Sequence, residues 1–345
     1  MTTPWVLLHV AAQRDYELHS LDLSIAFLQG SLHEEIWLRR PPGFTGSFSP
    51  VARHSEDYTC GSWVCSFRTD TTLPPLYILV YVNDLVFATA DTAGLAHVKS
   101  ELQKRHMCTE MGELRIRRDR ARRTITFTQS HMVQQVLERF NFTYSSPQAT
   151  PLSNCHSLSA LPSDESVEPS GPYLELVRCL MYLMTCTRPD LAYPLSILAR
   201  YVAPGRHRPE HMAAAKRVLR YLCSTSGMGL VLGERSPVVL TGHVDASWVH
   251  DLATQWSSEG YTFSLGSGSV SWRSTRSSSV LSSSREAEIY AGAMAAQELC
   301  WLTYMLTDLG EPPRSPPVLY VDNKAMLALC REHKLEHRTK HIALR

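Results

Sequence analysis

The chain has no run of about 18 apolar residues, so no membrane-spanning helix is expected. It also lacks a charged amino-terminal region leading into a long apolar stretch, so no secretory signal is visible. Neither sign of charge is in excess: 34 Lys and Arg stand against 33 Asp and Glu, a formal net charge of +1. That balance excludes a broadly basic arm but leaves room for a local basic patch. The nine cysteines are odd in number and scattered without a frame, which argues against a disulfide scaffold and for a reducing compartment. No solenoid-type repeat occurs. What remains is a globular composition, 44% hydrophobic, 19% charged and 9% aromatic over 345 residues. It excludes wholesale disorder and collagen-like repeats, and the length suffices for two ordinary domains or one large one. An intracellular α/β protein, cytoplasmic or nuclear, is the expectation.

Patterning places the elements. Leu21, Leu23, Ile25 and Phe27 alternate with polar or small residues, so Asp22 lies on the opposite face of a strand. The apolar runs 77–82 and 85–88 flank only Asn83 and Asp84, as in a tight hairpin. Residues 94–108 predict an amphipathic helix with Leu95, Val98 and Leu102 on one face. Six arginines then crowd nine positions: Arg115, Arg117, Arg118, Arg120, Arg122 and Arg123. A helix over 130–140 follows, and residues 143–170, rich in Ser, Pro and Thr, predict a linker or long loop. Three helical segments occupy 173–226, with Pro189 and Pro209 suited to first turns. A strand near 238–245 precedes a hairpin of 260–265 and 269–273 turning at 266–268. Then come a helix over 285–309, a strand over 318–322 and a helix from Asn323.

Three acids of the last third belong together. Asp245 ends a strand, Glu288 sits in the first turns of a helix, and Asp322 ends a later strand. Carboxylates gathered at such places can hold two divalent cations, and Mg²⁺ prefers hard oxygen ligands. Singly, each acid reads better as a cap or a solvated residue; it is the ordered set that points to metal.

The segments LTGHVDASWVHD, SREAEIYAGAMAAQELCWL, LYVDNKAMLAL and HRTKHIALR resemble the ribonuclease H domain of Ty1/copia retrotransposon polyproteins. Upstream, LDLSIAFLQGSLHEEIWLRRPPGF resembles the reverse-transcriptase palm motif of that family, and YILVYVNDLVFATAD its Tyr-x-Asp-Asp hairpin. The stretch from Tyr173 to Leu222 resembles the connection between the two domains. The resemblance implies a partial palm over 1–142, a linker over 143–170, a helical connection over 171–230 and a ribonuclease H-like mixed sheet with helices over 231–345. It implies metal-holding catalytic roles for Asp22 and Asp84 in the palm and for Asp245, Glu288 and Asp322 in the nuclease. It further implies Mg²⁺ as cofactor and an RNA–DNA hybrid or template–primer as partner. The arginine cluster could grip phosphates or could equally be a solvated surface loop. Oligomeric state is not implied.

The chain departs from the family pattern at several points. Asn83 stands where the leading acid of Tyr-x-Asp-Asp belongs, and an amide brings no charge to offset two dications. The stretch between Phe44 and Tyr77 is short, with a Cys/Ser/Thr-rich segment in place of the Leu-Tyr-Gly-Leu-Lys-Gln type motif. After Leu114 the Leu-Gly pair is missing, and Ala343 replaces a fourth acid of the nuclease. An impaired polymerase, a partly intact nuclease site and a truncated copy are therefore expected. A non-catalytic nucleic-acid-binding remnant stands as the alternative. His333, His337 and His341 share a helical spacing that admits zinc, but the resemblance accounts for the last two without metal. His54, Cys60 and Cys65 lack the Cys-x-x-Cys spacing of a zinc knuckle.

Overall fold

The computed structural model describes residues 2–23, 64–67, 76–81, 84–105, 108–113, 116–153, 171–203, 206–235, 239–251, 256–266, 268–277, 280–281, 283–324 and 326–327. The chain is mixed α/β, as its patterning predicts, and falls into two compact units: Asp15–Arg115, and Met1–Arg14 together with Ile116–Arg345. The expected boundary at residue 142 does not coincide with this division. Residues 116–142 group with the later chain because a strand and a helix within them find their partners there.

In the smaller unit β1 (Glu17–Leu23), β2 (Val64–Phe67), β3 (Leu76–Tyr81), β4 (Asp84–Thr89) and β5 (Cys108–Glu113) form an antiparallel sheet in the order β2-β3-β4-β1-β5. The strand read from Leu21 onward therefore begins four residues earlier, and positions 25 and 27 lie outside the described residues. Asp84 opens β4 opposite Tyr81 and does not sit in the turn. Helix α2 (Thr92–Arg105) starts at Asp91, whose carboxylate accepts the Gly94 N–H and so satisfies one of the first-turn donors. Its Leu95, Val98 and Leu102 cover the sheet face made by Leu21, Ile78, Leu85 and Phe87, as the spacing predicts.

The larger unit begins with α1 (Thr2–Arg14), a helix the patterning did not reveal because apolar and small residues surround it with little asymmetry. It packs on β7 (Thr124–Thr128) and β8 (Gly229–Leu232), which with β6 (Arg117–Asp119) make a three-stranded sheet. Trp5 meets Phe127 edge to face at 5.6 Å. Helices α3 (Ser130–Arg139), α4 (Gly171–Cys186), α5 (Ala192–Leu198) and α6 (Pro209–Thr225) enclose a core that includes Val133, Leu176, Leu180, Leu195 and Leu219. The described part of the expected linker is no free tether: Phe142 and Leu152 pack on that core, and the Gln148 N–H donates to the Arg220 carbonyl. Residues 154–170 lie outside the described residues.

An ion pair with its cation buried and its carboxylate partly exposed fixes the turn into α5. Arg188, 1% exposed, donates to Asp190 and to the carbonyl and hydroxyl of Thr225, while the Tyr221 hydroxyl donates to Asp190. Pro189 opens a short 3-10 turn there, and Pro209 takes the first turn of α6 as expected.

The last part is a sheet of β9 (Leu240–Asp251), β10 (Trp256–Leu265), β11 (Gly268–Arg276) and β12 (Val318–Val321), ordered β11-β10-β9-β12. β9, β10 and β11 run antiparallel and β12 joins β9 in parallel, with α7 (Ser284–Asp308) packed against β9 and β10. Along β9, Leu240, Gly242 and Val244 are buried while His243 and Asp245 on the other face are exposed. Among the described residues no helix is long and apolar enough to cross a membrane.

Candidate metal centre

Three elements deliver the carboxylates. β9 carries Asp245 on its open face. The parallel register pairs Val321 with Val244, so the next position, Asp322, comes level with Asp245. Ser283 caps α7 by accepting the Glu286 N–H at 3.2 Å, which starts the helix beside both acids. Asp245 does not end its strand as expected: β9 runs on to Asp251 because it keeps pairing with β10 as far as Trp256. Asn323 then turns the chain back, its carboxamide oxygen accepting the Met326 N–H at 3.0 Å, and Met326 settles over Gly292, where a Cβ would lie 1.9 Å from its methyl carbon. Gly292 is four residues beyond Glu288, just as Met326 is four beyond Asp322. One bare helix position therefore lets the Asp322 turn approach the helix that bears Glu288.

The result is convergence: ligand oxygens of Asp245, Glu288 and Asp322 lie within 4.8 Å of one another. Asp245 and Asp322 are exposed, whereas Glu288 is 6% exposed and its Oε2 has no hydrogen-bond partner. Burial first, then the neighbouring charges of Asp245 and Asp322, push the Glu288 carboxyl up to about 7, against a smaller opposing pull from the Ala246 backbone. Three crowded acids with one orphaned buried oxygen are costly unless a cation or proton joins them. The donor set, all carboxylate oxygen with two members open to solvent, fits a hard dication.

The other expected site residues lie elsewhere. Asp22 of β1 and Asp84 of β4 are cross-strand partners in the smaller unit, and Asn83 lies outside the described residues. Arg117, Arg118, Arg120, Arg122 and Arg123 stand on the β6–β7 hairpin, where Arg117, Arg120, Arg122 and Arg123 are exposed. Asp119 accepts the Arg122 N–H at 3.0 Å, and the Arg123 guanidinium donates to the Gln13 carbonyl. Arg115, His54, Cys60, His333, His337, His341 and Ala343 lie outside the described residues, and Cys65 is placed only as part of β2.

One feature beside the acids escaped the pattern reading. His243 and Tyr320 are register partners on β9 and β12, and their rings stack with centroids 4.9 Å apart and planes 20° from parallel. The signal was present as two short matching strings, His243-Val244-Asp245 and Tyr320-Val321-Asp322.

No family model matches the chain. Individual relatives do. A retrovirus-related Pol polyprotein from transposon TNT 1-94 of Nicotiana tabacum is 32% identical over 384 residues, covering 100% of this chain and 28% of the relative. That alignment is longer than the chain, so the tobacco protein carries residues with no counterpart here. A retrovirus-related Pol polyprotein from transposon RE2 of Arabidopsis thaliana is 32% identical over 377 residues, 98% of this chain and 25% of the relative. A transposon Ty5-1 protein of Saccharomyces cerevisiae is 28% identical over 320 residues, 81% of this chain and 100% of that protein. The chain thus spans about a quarter of the length of the plant polyproteins it matches. These relatives define the class, retrovirus-related Pol polyproteins of transposons. Within it, the chain belongs to the Ty1/copia-type retrotransposon polyproteins.

Proposed function

We propose that this Pol-derived chain carries a ribonuclease H-like nuclease centred on Asp245, Glu288 and Asp322, which cleaves the RNA strand of an RNA–DNA hybrid with Mg²⁺. The observation that carries the reading is the convergence of these three carboxylates within 4.8 Å of one another, with one buried and unpartnered oxygen. Asp245 and Asp322 would each present an exposed oxygen to the cation, and Glu288 would close the site from the helix side. When bound, the metal supplies Lewis-acid stabilisation of the attacking and leaving oxygens of the phosphodiester. The chain's own contribution is placement. The β9–β12 register and the capped start of α7 hold the acids before any metal arrives, so little reorganisation opposes binding.

In the same reading the smaller unit derives from a reverse-transcriptase palm. The Asp22–Asp84 pairing across β1 and β4 supports it, and Asn83 supports impairment of that polymerase. The exposed arginines of the β6–β7 hairpin would grip phosphate oxygens through bidentate, sequence-independent contacts. They also favour the second reading, a non-catalytic nucleic-acid-binding remnant.

The experiment is Mg²⁺-dependent cleavage of an end-labelled RNA–DNA hybrid by the full chain, with Asp245→Asn as control. Cleavage lost in the control supports the nuclease. A folded chain that binds the hybrid without cutting it favours the remnant.

A further inference from the structure

We propose that the stacked pair His243–Tyr320 is a nucleotide subsite beside the carboxylates, taking the sugar and base face of the nucleotide that flanks the cleaved phosphodiester. The inference rests on the nuclease reading for what is cleaved, but the stack itself is independent of it.

The two rings sit two register positions from the acids on both strands, with the Val244–Val321 pair between: His243 two residues before Asp245, Tyr320 two residues before Asp322. Alternation puts all four on the same face of the sheet. Two strand positions span about 6.6 Å, on the order of one nucleotide step along a polynucleotide backbone. A phosphate at the acids therefore leaves its neighbouring nucleotide over the rings.

Core packing does not account for the pair. Tyr320 is 52% exposed on β12, the edge strand of this sheet among the described residues, and His243 is exposed beside it. Edge strands ordinarily carry charged or short polar side chains that discourage further pairing. Here a half-exposed aromatic pair stands beside a cluster of acids that would repel a polyanion in the absence of metal. Aromatic faces accept sugars and bases of any sequence because every base has a π-face, and a ring N–H and a phenolic O–H add donors suited to phosphate.

The surrounding surface agrees. His243 and Asp245 open into the same groove, a cavity of about 560 Å³ whose other walls include Thr262, Trp272 and Tyr193. The groove lies between the His243–Asp245 face of the sheet and the 189–193 segment, so open space borders His243 on the side of the acids.

The test uses the full chain with Tyr320→Thr and His243→Thr, residues that suit a strand but remove the ring, and Tyr320→Phe, which keeps it. Steady-state cleavage of the hybrid should show KM raised about fivefold or more in each Thr variant, kcat changed by less than about twofold, and near-normal behaviour in Tyr320→Phe. Mg²⁺ affinity, read by calorimetry without nucleic acid, should be unchanged. Unaltered KM in both Thr variants would overturn the subsite. So would a fall in Mg²⁺ affinity with KM unchanged, which would make the pair a support for the acids. If the parent chain does not cleave, the nuclease reading fails separately. Hybrid affinity by fluorescence anisotropy then decides: a loss of about fivefold in the Thr variants supports the subsite, and no loss overturns it.

Discussion

Asp322 stands level with Asp245 because β12 runs parallel to β9 in a register that pairs Val321 with Val244. The two acids are 77 residues apart in sequence, and only this strand pairing unites them. Glu288 joins from above, through the helix whose Gly292 admits Met326. The site is thus a property of three-element packing, and its electrostatic strain is concentrated in the one acid that is buried.

Replacing Glu288 by Gln removes one of three crowded charges, and the new amide can donate to the neighbouring carboxylates. Stability without metal should rise by about 1–2 kcal/mol, or about 2–8 °C in melting temperature. The further rise produced by Mg²⁺ in the parent should disappear. Melting curves in EDTA and in Mg²⁺ give both readings. A variant less stable than the parent in EDTA would show that the three acids do not repel one another in the folded chain.

Much of this was legible beforehand. The acids were visible because Asp245 and Asp322 follow apolar strand patterns and Glu288 sits in the first turns of the helical pattern over 285–309, all local signals. The helix expected over 94–108 declared itself through Leu95, Val98 and Leu102, though it spans Thr92–Arg105 and Cys108 already opens β5. What stayed hidden depends on distant partners. Helix α1 has no polar face to mark it, because strands β7 and β8, over a hundred residues away, cover it. The segment 143–153 looked like a linker by composition, yet Phe142 and Leu152 anchor it to a core formed by later helices. The Arg188–Asp190–Thr225 network could not be read from Arg-Pro-Asp alone, since its acceptor carbonyl comes from the end of α6.

Arg188 is the most consequential buried charge outside the metal centre. Substitution by Met would leave Asp190 inside the turn without its cation and the Thr225 carbonyl without a donor. The carboxylate left behind is 26% exposed, so water screens part of it and a loss of about 2–3 kcal/mol is expected, below that of a fully buried pair broken from one side. Tyr221→Phe, which removes one hydrogen bond to Asp190, should cost about 1 kcal/mol. Urea unfolding at neutral pH compares the two. A loss below about 1 kcal/mol for Arg188→Met would mean that apolar packing replaces the network.

His9 makes the larger unit sensitive to acid. It is 1% exposed, its Nδ1 accepts the Gly233 N–H at 3.0 Å, and burial lowers its pKa to about 4. The folded chain keeps the ring neutral where the unfolded chain, near the ordinary 6.5, takes up a proton. Protons therefore favour unfolding, and stability should fall as pH drops from about 6.5 to about 4, by about 3 kcal/mol from this group. His9→Gln keeps an acceptor and does not titrate, so its stability profile should be flatter over that interval by the same amount. Parallel profiles for parent and variant would remove His9 as the cause.

Gly242 couples the fold to the metal centre. It lies on the buried face of β9, where a Cβ would approach two ring carbons of Phe263 to 2.3 and 2.7 Å and a methyl of Leu319 to 2.9 Å. Phe263 is fully buried, so its ring has little room to yield, and Gly242→Ala should cost about 1–3 kcal/mol by overpacking. Leu319 is the register partner of Gly242 on β12, so pressure there displaces the strand that positions Asp322. Mg²⁺ affinity should weaken several-fold together with stability. Phe263→Leu makes space on the ring side, and in that background the penalty of Gly242→Ala should shrink by about 1 kcal/mol or more, the non-additivity expected of side chains in contact. A double-mutant cycle read by both unfolding and Mg²⁺ calorimetry separates the two effects. Recovery of stability without recovery of affinity would place the fault at Leu319 and β12, whereas recovery of both would trace it to the Phe263 ring.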